Sequence, residues 1–98
     1  MLKHIVMVSF NDRMNVKELS LEFKSKLLDL ITKIPELKSM EVGLNVSTKP
    51  SAFDLVLIAG FDNENGLNKY RIHPAHVEVL DFMKKIVSKT AVVDYYTD

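Results

Sequence analysis

An α+β fold with a four-stranded antiparallel sheet is what this sequence predicts, and three observations predict it. Two segments, Lys3 to Phe10 and Phe53 to Phe61, are rich in β-branched and large apolar residues and carry apolar groups on both alternating faces, as strands covered on two sides do. Two others, Val16 to Ile34 and Pro74 to Val87, repeat apolar residues every three or four positions, the period of an amphipathic helix. The order is strand, helix, strand, strand, helix, strand. Right-handed crossovers fold that order into a ferredoxin-like βαββαβ sheet with both helices on one face.

In the first strand His4, Val6, Val8 and Phe10 point one way while Ile5 and Met7 point the other. Asn15 is the expected N-cap of the first helix, with Glu18 three residues on completing a capping box. Val16, Leu19, Phe23, Leu27, Leu30 and Ile34 form the apolar stripe, which predicts about five turns. Pro35 ends the helix, since it lacks an amide hydrogen and restricts the residue before it. Met40, Val42, Leu44 and Val46 alternate with polar or small residues and predict a half-buried second strand. Ser47 to Ala52 reads as a loop short enough for the second and third strands to pair as a hairpin. After the polar break Asp62 to Gly66, Leu67 to Ile72 predicts a short helix, and Pro74 suits the first position of the next. Lys84, Lys85 and Lys89 gather toward its end, where cations complement the helix dipole. Ala91 to Tyr96 is the expected fourth strand.

Composition narrows the function classes. The 98 residues suit a single domain over 1–98, since two separate cores would each be too small. Thirteen basic residues balance thirteen acidic ones, so no net charge attracts nucleic acid or an anionic membrane. The absence of cysteine excludes disulfides, thiolate metal sites and a cysteine nucleophile. The apolar run after Met1 is too short for a leader peptide and no segment approaches a membrane span, so a cytoplasmic protein is expected. Gly43, Gly60 and Gly66 are isolated and build no phosphate loop. Two helices cover only one sheet face, yet the first and third strands are apolar on both. The uncovered face predicts a homodimer packed sheet to sheet.

The chemistry gathers in Tyr70-Arg71-Ile72-His73-Pro74-Ala75-His76. A neutral imidazole at His76 takes a proton from a carbon acid at neutral pH, and a tyrosine hydroxyl such as that of Tyr70 stabilises the resulting enolate. The plainer reading of His76 is a hydrogen-bonded histidine on an apolar helix face. His73, just before Pro74, is set to cap the next helix. His4 has two open readings, a partnered polar group in the core or part of a pocket wall. His73 and His76 lack a third converging ligand, so no metal is expected. Phe23, Leu27, Val79 and Met83 are core positions whose alternative is to line an apolar cavity. Asp94 and Tyr95 face opposite sides of the last strand, so only one of them serves a pocket and the other is expected at the dimer contact.

His4, Ile34-Pro35, Glu41-Val42-Gly43, Tyr70 with His73-Pro74-Ala75-His76, and Val93-Asp94-Tyr95 together resemble the stress-responsive α/β-barrel (Dabb) family across almost the whole chain. That resemblance implies a ferredoxin-like monomer paired through its sheet into a dimeric α+β barrel. It also implies a small apolar pocket in each subunit whose polar end is made by His4, Tyr70, His73 and His76. One plant member closes a linear polyketide by aldol condensation without a cofactor. Its base is the second histidine of an HPAH segment, helped by a tyrosine six residues earlier, which match His76 and Tyr70. Two functions are therefore carried forward. One is an uncharacterised stress-responsive homodimer holding a small apolar or carbonyl ligand. The other is a cofactor-free lyase or isomerase with His76 as base and Tyr70 as oxyanion donor. Haem-degrading barrels of this architecture use a tryptophan, which this chain lacks.

Overall fold

The structure, a computed structural model, describes residues 1–97. Four strands form one antiparallel sheet: β1 (Leu2–Phe10), β2 (Ser39–Leu44), β3 (Leu55–Phe61) and β4 (Val87–Tyr96), in the order β2-β3-β1-β4. Three helices, α1 (Val16–Asp29), α2 (Glu64–Ile72) and α3 (Pro74–Ile86), complete the ferredoxin-like architecture. Alternation along β1 sends Leu2, Val6, Val8 and Phe10 into the helix-covered core, where all four are buried. Leu55, Leu57, Ala59 and Phe61 of β3 join them there. From α1, Phe23 and Leu27 close the layer, and Phe23 meets Phe10 edge-on with ring centroids 6.4 Å apart. Burying each such side chain stabilises by about 1.5–3 kcal/mol.

Among the described residues, no helix covers the opposite sheet face. Ile5, Met7, Val56 and Ile58 are half-buried there, and Val93 and Tyr95 on β4 are 57% and 45% exposed. The apolar face expected from the sequence is present.

Several boundaries differ from the sequence expectation, each for a local reason. The first helix changes to a 3-10 turn at Leu30–Thr32 instead of running on to Ile34, with Thr32 Oγ1 donating to the Asp29 carbonyl at 3.1 Å. Asn15 occupies the N-cap without capping through its side chain. Its Nδ2 instead donates to Asp12 Oδ2 at 2.8 Å, so the capping box with Glu18 does not form. The second strand stops at Leu44, opposite Leu55, and Val46 is 96% exposed. An Asx turn bends the chain away there, the Ser47 amide donating to Asn45 Oδ1 at 2.8 Å. The third strand begins at Leu55 rather than Phe53, because the Asp54 side chain is drawn to Phe10 and Arg13. The short helix begins at Glu64 rather than Leu67, since Asn63 Oδ1 accepts from the Gly66 amide at 3.2 Å and caps it. Finally β4 begins at Val87, so Lys89 lies in a strand and only Lys84 and Lys85 occupy the last helical turn. The β-branched residues Val87, Thr90, Val92 and Val93 favour that outcome. Because β4 is an edge strand outside the helices' cover, a cleft remains between its inner face and α2 and α3.

Candidate functional site

That cleft is a cavity of about 390 Å³, and its polar end is assembled from four elements. His4 projects inward from β1 and lies directly across from Asp94 on β4 in the strand register. The pairing puts His4 Nδ1 2.5 Å from Asp94 Oδ1. Arg71, in the last turn of α2, donates from Nη2 to Asp94 Oδ2 at 3.2 Å and from Nη1 to Asn68 Oδ1 at 3.1 Å. Each imidazole thereby has one nitrogen committed to the protein, as His76 also shows.

His76 sits in the first turn of α3, and its Nδ1 lies 3.1 Å from the Arg71 carbonyl oxygen. A carbonyl only accepts, so Nδ1 carries the hydrogen and Nε2 is the unprotonated nitrogen of the neutral ring. Burial holds the His76 pKa below the ordinary histidine value, overcoming the Arg71 carbonyl, which favours the proton; nearby His4, Arg71 and His73 lower it further. Tyr70 is 1% exposed and packs between rings: Phe61 at 5.0 Å, His76 at 4.1 Å and His4 at 6.4 Å between centroids. Burial pushes its phenol well above the usual tyrosine range, so it remains a hydrogen-bond donor. Among the described residues its hydroxyl meets no protein partner, yet it is not sealed from solvent-sized space, and the residue lines the cavity.

The rest of the wall is apolar apart from Thr90. Phe23 and Leu27 come from α1, Val79 and Met83 from α3, and Val6, Leu57 and Val92 from the sheet. Every site residue singled out from the sequence therefore lines this cavity except His73. His73 ends α2 and caps α3 at once: its own amide donates to the Tyr70 carbonyl at 3.2 Å, and its Nδ1 accepts from the Ala75 amide at 3.1 Å. That engagement turns it out of the cavity wall and corrects its expected place at the polar end. Among the described residues no group of three or more His, Asp or Glu side chains converges as a metal site, and no helix is long and apolar enough to cross a membrane.

Sequence reasoning did not anticipate the roles of Arg71 and Asp94. Asp94 shares a face with His4 only once the register between β1 and β4 is known, and that register closes a separation of 90 residues. Arg71 was visible as a neighbour of Tyr70, but its reach to β4 depends on where α2 ends. Together these groups place a neutral ring nitrogen and a phenol donor at one end of an apolar chamber. Such a chamber suits a ligand with an apolar body and an oxygen-bearing head.

Comparison with known proteins agrees with this architecture. The family model described as "Stress responsive A/B Barrel Domain" matches residues 2–97. The chain is similar to olivetolic acid cyclase of Cannabis sativa, 26% identical over 96 residues that cover 96% of this chain and 94% of that protein. Among solved structures it is similar to a dimeric protein of unknown function with a ferredoxin-like fold from Bacteroides fragilis, with a TM-score of 0.88, 28% identity, and coverage of 98% and 95% of the two chains. It shares the fold of a hydroxynitrile lyase from Passiflora edulis at a TM-score of 0.85, with 15% identity over 99% and 93% of the two chains.

Proposed function

The chain belongs to the stress responsive A/B barrel domain family, and on that premise we propose that it acts as a homodimer whose chambers each hold a small, mainly apolar ligand by a carbonyl group. One observation carries the reading: Tyr70 and His76, with its free nitrogen, stand together at the polar end of a mainly apolar wall. A volume of about 390 Å³ equals roughly a dozen water volumes at about 30 Å³ each. It fits a ligand of about that many heavy atoms, such as a medium-chain ketone or 2,4-diketone. The Tyr70 hydroxyl donates to the carbonyl oxygen while Phe23, Leu27, Val79 and Met83 enclose the chain. Titration of 2,4-nonanedione into the protein, followed by nuclear magnetic resonance, tests this. Saturable shifts confined to the chamber residues are expected, and their loss in Tyr70→Phe; shifts absent or scattered over the surface would sink the reading.

A second reading is favoured by the state of His76. A desolvated neutral imidazole with a fixed tautomer is prepared to remove an α-proton without a cofactor. In that step the carbon–hydrogen bond breaks, its proton goes to His76 Nε2, and the electron pair moves into the carbonyl, whose oxygen accepts from Tyr70. The imidazolium then returns the proton to carbon or to a leaving group. Incorporation of deuterium from heavy water into the α-position of the diketone is the measurement. The wild type is expected to accelerate exchange on the order of 10²–10⁴-fold more than His76→Ala. Equal rates in the two would leave only the binding reading.

The homodimer is supported by the open sheet face, with Val93 and Tyr95 exposed beside Ile5 and Ile58, and by the dimeric description of the Bacteroides fragilis protein. Sedimentation at twice the chain mass is expected, and Val93→Glu is expected to lower it toward one.

A further inference from the structure

We propose that Arg71 is the positioning residue of this site, holding both chamber imidazoles from a single place at the end of α2. His76 and His4 come from different elements, α3 and β1, and have separate partners. Both chains of contact nevertheless end on residue 71. Its backbone carbonyl takes the His76 Nδ1 hydrogen, and its guanidinium holds the Asp94 carboxylate whose other oxygen receives His4 Nδ1. The carbonyl is available because the last carbonyls of a helix lack intrahelical partners. A cation is favoured at the same place by the negative end of the helix dipole. Asn68, one turn back, steadies the other arm of the fork at 3.1 Å.

The two anchors differ in kind. The carbonyl anchor belongs to the backbone and survives any side-chain change at 71. The guanidinium anchor does not. Facing His4 are Asp94 from β4, Tyr70 and Arg71 from α2, and His76 from α3. Of these, Asp94 is the group in contact with Nδ1, and Arg71 is the group that holds Asp94. With one oxygen tied to Arg71, Asp94 keeps the other turned to Nδ1, and His4 then offers Nε2 to the chamber. Without Arg71 the carboxylate, partly open to solvent, is free to rotate and His4 loses its fixed tautomer.

This purpose rests on the ligand-holding reading above, but its test does not. The imidazole nitrogens of the full-length protein are observed by long-range proton–nitrogen correlation in the wild type, Arg71→Met and Arg71→Lys. In the wild type both rings are expected as single Nδ1–H tautomers. In Arg71→Met the His4 pattern is expected to collapse to a tautomer mixture while His76 keeps its pattern, and Arg71→Lys is expected to restore His4. Arg71 is about half exposed, so folding survives the change, and an intact His76 pattern reports that within the same spectrum. An unchanged His4 pattern in Arg71→Met, or simultaneous loss in both rings, overturns the proposal. Titration with 2,4-nonanedione is run on the same samples: no binding to any of them overturns the ligand reading alone, because the His4 tautomer still decides the role of Arg71.

Discussion

The two ends of β1 both carry a carboxylate paired with an arginine, and they are built for opposite ends. Where β1 finishes, Asp54 is buried and its oxygens are fully engaged: the Phe10 amide donates at 2.8 Å, and Arg13 donates from Nη1 at 2.6 Å and from Nη2 at 3.2 Å. Where β1 starts, Asp94 is about a third exposed and holds His4, while His4 and His76 each retain one ring nitrogen and Tyr70 retains its hydroxyl. The first cluster is saturated and therefore structural. The second leaves hydrogen-bonding capacity directed into the cleft, which supports the ligand-holding proposal. Charge alone would not separate them; burial and unspent donors and acceptors do.

The comparison breaks most visibly through stability. Asp54→Ala orphans the buried Phe10 amide and releases Arg13, and urea denaturation is expected to register a loss of about 2–3 kcal/mol. Acid is the next lever. The hydrogen bond from Arg13 holds the Asp54 carboxyl below the ordinary aspartate value, against the raising effect of burial and with help from the Phe10 amide. A lowered native value means that the unfolded chain takes up the proton first. The stabilisation is complete above about pH 4, near the unfolded aspartate value, and is lost as pH falls through the native one. Thermal melts of Asp54→Asn should show a flatter decline between pH 4 and 2 than the wild type. At the other end Asp94→Ala is expected to cost less than about 1 kcal/mol, as partly exposed pairs do. A cost equal to that of Asp54→Ala would erase the distinction between the two ends. The smallest effect belongs to His76. Its lowered native pKa makes the unfolded chain the better proton acceptor, so stability declines as pH drops below about 6.5. His76→Ala should remove that shallow slope while leaving the melt at pH 8 nearly unchanged.

Much of this architecture was legible in the sequence because it depends on period. Two-sided apolar strands at 3–10 and 53–61 and the helical stripe through Phe23 and Leu27 declare themselves within short windows. The uncovered sheet face followed from the same count. What was illegible depends on contacts that no window spans. Asn15 had the composition of a cap, but Asp12 competed for its side chain. The break at 62–66 concealed a cap on Asn63. His73, Tyr70 and His76 stood out as neighbours in the chain, and the helix-capping reading of His73 agrees with the structure. The carboxylate that organises His4 lies at the far end of the sequence, where alternation indicates a face and not a partner.

That separation bears on how the protein comes into being. Asp94 is made 90 positions after His4. At ribosomal rates of about 5–20 residues per second, the two are synthesised on the order of ten seconds apart. Until β4 docks beside β1, His4 is without its carboxylate. The polar end of the cleft is thus complete only once β4 has paired with β1 and brought Asp94 to His4.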